Sequence, residues 1–106
     1  MKIILTLLLC LTGIKVSAYD ELIDGIYYNF DHNYLTATVT FRVFATYNKN
    51  AYYGDVVIPE QVKSKKFGNT YKVTKINEYA LYFCPAVTSV SIPNTIVSIG
   101  QYSFEG

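Results

Sequence analysis

Ile76-Asn77-Glu78-Tyr79-Ala80-Leu81-Tyr82-Phe83 and Ile99-Gly100-Gln101-Tyr102-Ser103-Phe104-Glu105-Gly106 are two versions of one segment set 23 residues apart, with Ile and Tyr shared and the other core positions similar. Each follows an aliphatic-x-x-Ile unit, Val73-Thr74-Lys75-Ile76 in the first copy and Ile96-Val97-Ser98-Ile99 in the second. A second pair of landmarks, Ile58-Pro59 and Ile92-Pro93, lies 34 residues apart, so the first copy carries 11 more residues after its proline. That surplus contains Lys63-Ser64-Lys65-Lys66 and Phe67-Gly68-Asn69-Thr70 and reads as a basic excursion with a Gly-Asn turn before Tyr71-Lys72-Val73. Between the landmarks runs Val87-Thr88-Ser89-Val90-Ser91-Ile92, a short strand with Val87, Val90 and Ile92 turned inward.

Upstream, strand signals fill residues 25 to 59. Gly25-Ile26-Tyr27-Tyr28-Asn29-Phe30 is followed by the turn residues Asp31-His32-Asn33 and then by a run from Tyr34 to Phe44. In that run Leu35, Ala37, Val39, Phe41 and Val43 alternate with Tyr34, Thr36, Thr38, Thr40 and Arg42, the period of a half-buried antiparallel strand. The two runs are expected to pair as a meander through the Asp-His-Asn turn. Asn48-Lys49-Asn50 is a polar loop, and Asp55-Val56-Val57-Ile58 is a further strand that stops at Pro59 because proline cannot donate to a ladder.

The first 18 residues have the three parts of a secretory leader: Lys2, an apolar run from Ile3 to Leu11 broken by Thr6, and a polar stretch ending Val16-Ser17-Ala18. Cleavage is expected between Ala18 and Tyr19, giving a secreted or cell-surface chain with no stable membrane span after processing, because Lys15 interrupts the run too early for a bilayer. Removing Lys2 and Lys15 leaves seven basic against eight acidic side chains, so nothing argues for a nucleic-acid partner. Cys84 is then the only thiol and cannot form an intramolecular disulfide, so the fold must hold by core packing. With a single histidine the chain has too few ligands for a closed zinc site, and no motif implies a metal or cofactor. All 17 aromatic residues, 11 Tyr and 6 Phe, lie beyond residue 18, which excludes disorder as the default there.

A period of 23 falls in the leucine-rich-repeat range of about 20 to 29 residues, where each unit supplies one short strand and a looser return. Thr95 stands where the common repeat has Asn or Cys, which points to a subclass. The unit Cys84, Val87, Val90, Ile92-Pro93, Ile96, Ile99-Gly100, Ser103-Phe104 resembles that of the BspA-type surface proteins, also called the Treponema pallidum type, written Cys-x-x-Leu-x-x-Ile-x-Ile-Pro-x-x-Val-x-x-Ile-Gly-x-x-Ala-Phe. Asp24-Gly25-Ile26-Tyr27-Tyr28, Tyr52 to Pro59 and Tyr71 to Ile76 are similar to the N-terminal part of such proteins, with Ile58, Pro59, Val73 and Ile76 at repeat positions. Leu81 and Asn77 depart from the Phe and Gly that the family favours. The resemblance implies a mainly β fold: leader 1–18, β-rich cap 19–59 including the first repeat strand, and about two repeats of a solenoid in 60–106.

The resemblance further implies a non-enzymatic adhesin-type protein that contacts an extracellular or host protein through Ser89 and Ser91 of one strand and Asp55 and Val57 of the other. By the 23-residue offset the next family cysteine falls one position after Gly106, so a fragment or truncated product is expected, leaving self-association through an uncapped C-terminal repeat open.

Other chemistry is weaker in the sequence. His32 beside Asp31 would serve as a general base only if the carboxylate oriented it, and adjacent residues in a turn usually diverge. Cys84 sits at a packing position before Pro85 and is expected to be a buried thiol. Asp20, Glu21 and Asp24 read as a solvated acidic end. Lys63, Lys65 and Lys66 read as a solubilising loop. Tyr27-Tyr28 and Tyr52-Tyr53 would each put one ring outward in extended chain, which keeps two rivals alive, a carbohydrate-binding module and a small secreted enzyme lined by aromatics.

Overall fold

A computed structural model of the chain describes residues 19–42, 51–82 and 84–104. The leader, the loop Asn48-Lys49-Asn50, Val43 and Phe83 lie outside the described residues. The described part is all-β: a mixed sheet curled into a half-barrel and a small parallel sheet, with no regular solenoid among the described residues. Its strands are β1 (Glu21–Ile23), β2 (Ile26–Asp31), β3 (Thr36–Thr40), β4 (Gly54–Val57), β5 (Gln61–Lys63), β6 (Thr70–Ile76), β7 (Val87–Ser91) and β8 (Ser98–Ile99). The large sheet runs β1-β2-β3-β6-β5, with β8 also on β6, and β4 pairs β7.

Local chemistry sets the hairpins. Asp24 and Gly25, with φ of 49° and 84°, form the two-residue loop between Ile23 and Ile26, and their left-handed conformations match the twist of an antiparallel pair. In the next turn Asp31 Oδ1 accepts from the backbone N–H groups of Asn33 and Tyr34 at 2.9 and 3.1 Å. Leu35 has φ of 54° and is exposed, so the third strand begins at Thr36 and stops at Thr40, shorter at both ends than its alternation suggests. Ala37 and Val39 do point into the core. The basic excursion is more than a loop: Gln61–Lys63 pairs antiparallel with Thr70–Lys72 and turns through Gly68 at φ 77°.

The core is built around Tyr28, Val39, Tyr71, Val73 and Ile76, all essentially buried. Tyr52 reaches in from the segment before β4 to plug the end of the β2–β3 ladder. Its hydroxyl accepts from the Tyr27 N–H at 3.0 Å and donates to the Thr40 carbonyl at 2.7 Å. Burial drives its phenol far above the ordinary tyrosine range, so it stays a neutral donor.

Three of the strand pairings are parallel. Ala37 of β3 lies opposite Val73 of β6. On β4 and β7, Asp55, Val56 and Val57 lie opposite Ser89, Val90 and Ser91, the 34-residue offset of the two Ile-Pro landmarks. On β6 and β8, Lys75 and Ile76 lie opposite Ser98 and Ile99, the 23-residue offset. The turns that follow obey the same spacing. Leu81 N–H donates to Ser103 O at 2.8 Å, and the rings of Tyr79 and Tyr102, both at positive φ, stack at 5.2 Å. Gly100 permits this approach, since a Cβ there would lie 2.7 Å from Glu78 Cα and 2.8 Å from the Asn77 carbonyl carbon.

Candidate binding face and groove

The four residues expected to face a partner are brought together. Asp55 lies opposite Ser89 and Val57 opposite Ser91 on the parallel pair, and all four are exposed. Asp55 Oδ1 accepts from Ser89 Oγ at 2.7 Å and from Thr88 Oγ1 at 2.8 Å, and these two hydroxyls hold its carboxyl below the usual range. Thr88 is an addition to the expected set. The register steps from Gly54–Val87 to Asp55–Ser89, so Thr88 is the extra residue of a bulge that lets two successive side chains reach one carboxylate. A two-versus-one count of this kind leaves no periodic trace in a six-residue strand.

Beside this face runs a groove in two connected parts of about 510 and 430 Å³, both lined by Leu22, Asp24, Ile26 and Val57. These volumes fall in the ~300–1,000 Å³ range of ligand sites. One wall is β1 with its turn, and the other is the chain from Tyr53 through β4 to β5. Asp55 and Tyr53 stand toward one end, Lys63 and Lys65 toward the other.

The acidic N-terminal cluster is organised and differs from the solvated end expected. Glu21 belongs to β1, and its carboxylate accepts from the Ser64 hydroxyl and from the backbone N–H groups of Lys65 (3.0 Å) and Lys66 (3.4 Å). Burial raises its pKa, but the hydroxyl, the two N–H groups and the Lys66 charge together outweigh it and the net shift is downward. Asp20 Oδ2 accepts from the Phe30 N–H at 2.9 Å, and Lys66 Nζ donates to the Asp20 carbonyl at 2.9 Å. Glu21 thereby ties the first strand of the curled sheet to the turn after its last.

His32 is not oriented by Asp31, whose Oδ1 serves the turn. Its Nδ1 lies 2.8 Å from the Tyr71 hydroxyl, and its ring packs edge-on against Phe67 at 4.6 Å, closing an aromatic cluster. Cys84 is buried, with Sγ 3.7 Å from the Tyr82 carbonyl oxygen, and burial pushes its thiol up, away from the thiolate that nucleophilic attack needs. Of the tyrosine pairs, Tyr27, Tyr28 and Tyr52 are all buried and only Tyr53 faces solvent. Strand β2 is covered on both faces, which removes the expected outward ring. Among the described residues no group of three His, Cys, Asp or Glu could hold a metal ion, and no helix is long and apolar enough to cross a membrane. Comparison with protein-family models, with curated proteins and with solved structures finds no match.

Proposed function

We propose that the chain is a non-enzymatic, exported binding module of leucine-rich-repeat type, a β cap followed by about two repeat units, that contacts an extracellular protein through the β4–β7 face. The observation that carries the reading is the register of the two small parallel pairings. Both join residues at the offsets read from the sequence, 34 and 23, as stacked repeat units would. The resemblance to BspA-type surface proteins supports the adhesive role and export through residues 1–18.

Asp55, Thr88, Ser89 and Ser91 are small polar groups, each worth little in a contact, so affinity from one such face is weak. Residues 19–106 are expected to bind immobilised matrix proteins such as fibronectin or laminin with Kd above about 10 μM. Ser89→Lys with Ser91→Lys should abolish that signal in biolayer interferometry. Binding to none of a panel of matrix proteins, or binding indifferent to the double substitution, overturns the reading. A carbohydrate-binding alternative is favoured by one observation, the exposed Tyr53 ring beside the groove. It requires a glycan-array signal that Tyr53→Ala removes.

A further inference from the structure

The order of the large sheet leaves β1 and β5 as its two outer strands, and the curl brings them face to face. Among the described residues β1 pairs only β2, β5 pairs only β6, and β4 pairs only β7. Three strand edges with spare backbone donors and acceptors therefore border one groove. The seam is bridged at one end by a side chain, the Glu21 carboxylate, which accepts backbone N–H groups of Lys65 and Lys66. Along the rest of the seam the floor is apolar, with Ile26 buried and Leu22 and Val57 exposed.

Charge gives the groove a direction. Asp55 stands beyond the shared apolar stretch at one end, with Asp24 adjoining, and Lys63 and Lys65 at the other. Glu21 also lies at the lysine end, where its carboxylate is engaged in the bridge and faces Lys66.

From this geometry we infer that the groove takes an extended peptide segment of another protein, which adds a strand between β1 and the β4–β5 wall. The segment carries alternating apolar side chains toward Leu22 and Val57, a basic residue beside Asp24 and Asp55, and an acidic residue beside Lys63 and Lys65. Main-chain hydrogen bonds to the open edges supply affinity and the charged ends fix direction. This rests on the reading of the chain as a protein-binding module and names the form its partner takes.

The probe is a fluorescein-labelled peptide of alternating Val and Thr with two lysines at one end and two glutamates at the other, titrated into residues 19–106 and followed by anisotropy and by amide chemical shifts. Saturable binding with Kd below about 1 mM is expected, with shifts centred on Leu22, Asp24, Val57 and Lys63. Methylating alternate peptide nitrogens, or replacing the glutamates with lysines, should weaken binding about tenfold or more. Val57→Lys, at a position 64% exposed, should keep the fold and abolish binding.

No saturation by about 1 mM, or binding untouched by Val57→Lys, overturns the proposal. Shifts at the same amides that grow with protein concentration and no peptide would assign the groove to a second copy and overturn it too. Ser89→Lys with Ser91→Lys separates the two readings: it should leave peptide binding intact while removing capture by matrix proteins.

Discussion

Two stretches with one pattern meet opposite fates in this molecule. In the first, Ile58, Ile76 and Leu81 are 2%, 1% and 4% exposed; their counterparts Ile92, Ile99 and Phe104 are 42%, 50% and 45% exposed. Sequence does not account for the contrast, because the side chains are matched in kind. What differs is coverage. The first unit has β3 along one edge of β6 and the second unit against the other, whereas among the described residues nothing lies over the second. A repeat position is thus a place for a core residue, and the neighbour decides whether a core forms there.

Truncation at matched positions tests this most strongly. Ile76→Ala should cost about 3–4 kcal/mol in urea unfolding of residues 19–106, and Ile99→Ala about 1 kcal/mol or less, because only the first leaves a cavity. Equal losses would mean that the second unit is covered in solution. Gly100→Ala should cost about 2–3 kcal/mol by forcing the Asn77-Glu78 backbone away, and should also loosen the Tyr79–Tyr102 stack, seen as a change in near-ultraviolet dichroism. Tyr52→Phe belongs to the cap side of the comparison. It leaves the Tyr27 N–H and the Thr40 carbonyl buried and unpaired, a loss of about 2–3 kcal/mol that spares the second unit's amide exchange.

Acid should act next, and more gently. Glu21 and Asp55 have carboxyls held below their ordinary values of 4.5 and 3.8. A depressed carboxyl stabilises the fold above its unfolded pKa, and that contribution is lost as pH falls through the folded value. The melting temperature should therefore fall as pH drops below about 4.5, and Glu21→Gln should flatten the upper part of that decline. Thr95→Val is the smallest test. The Thr95 Oγ1 is buried without a partner, so the substitution should be neutral or slightly stabilising in the same urea assay.

Much of this is legible in the residues. The offsets 34 and 23 are the registers of two of the parallel pairings, and Asp55, Val57, Ser89 and Ser91 do share one exposed patch. β1 escapes a reading by composition although Asp24-Gly25 between Ile23 and Ile26 is a strong two-residue hairpin signal, because three charged residues nearby suggest a frayed end. Gln61-Val62-Lys63 offers one apolar side chain in three, too little periodicity to mark a strand, and only its pairing with β6 makes it one. Tyr52 and Tyr53 are indistinguishable in sequence. The buried ring is the one whose hydroxyl finds the end of the β2–β3 ladder, a tertiary fact no local pattern carries. The groove is equally invisible, since its walls come from segments some thirty residues apart.

The interleaving of the parallel pairs has a consequence for the timing of synthesis. β3 waits for β6 and β4 waits for β7, so each partner is made only after the other pair has opened its own loop. A nascent chain emerging residue by residue cannot complete its cap and then add units in turn. The cap's parallel edge stays bare until Ile76 has left the ribosome, and β4 until Ser91 has followed. Such non-local pairings are slow to close and expose apolar strands meanwhile. On the proposed export route, a chain of this kind gains from crossing the membrane unfolded, before its own topology commits it.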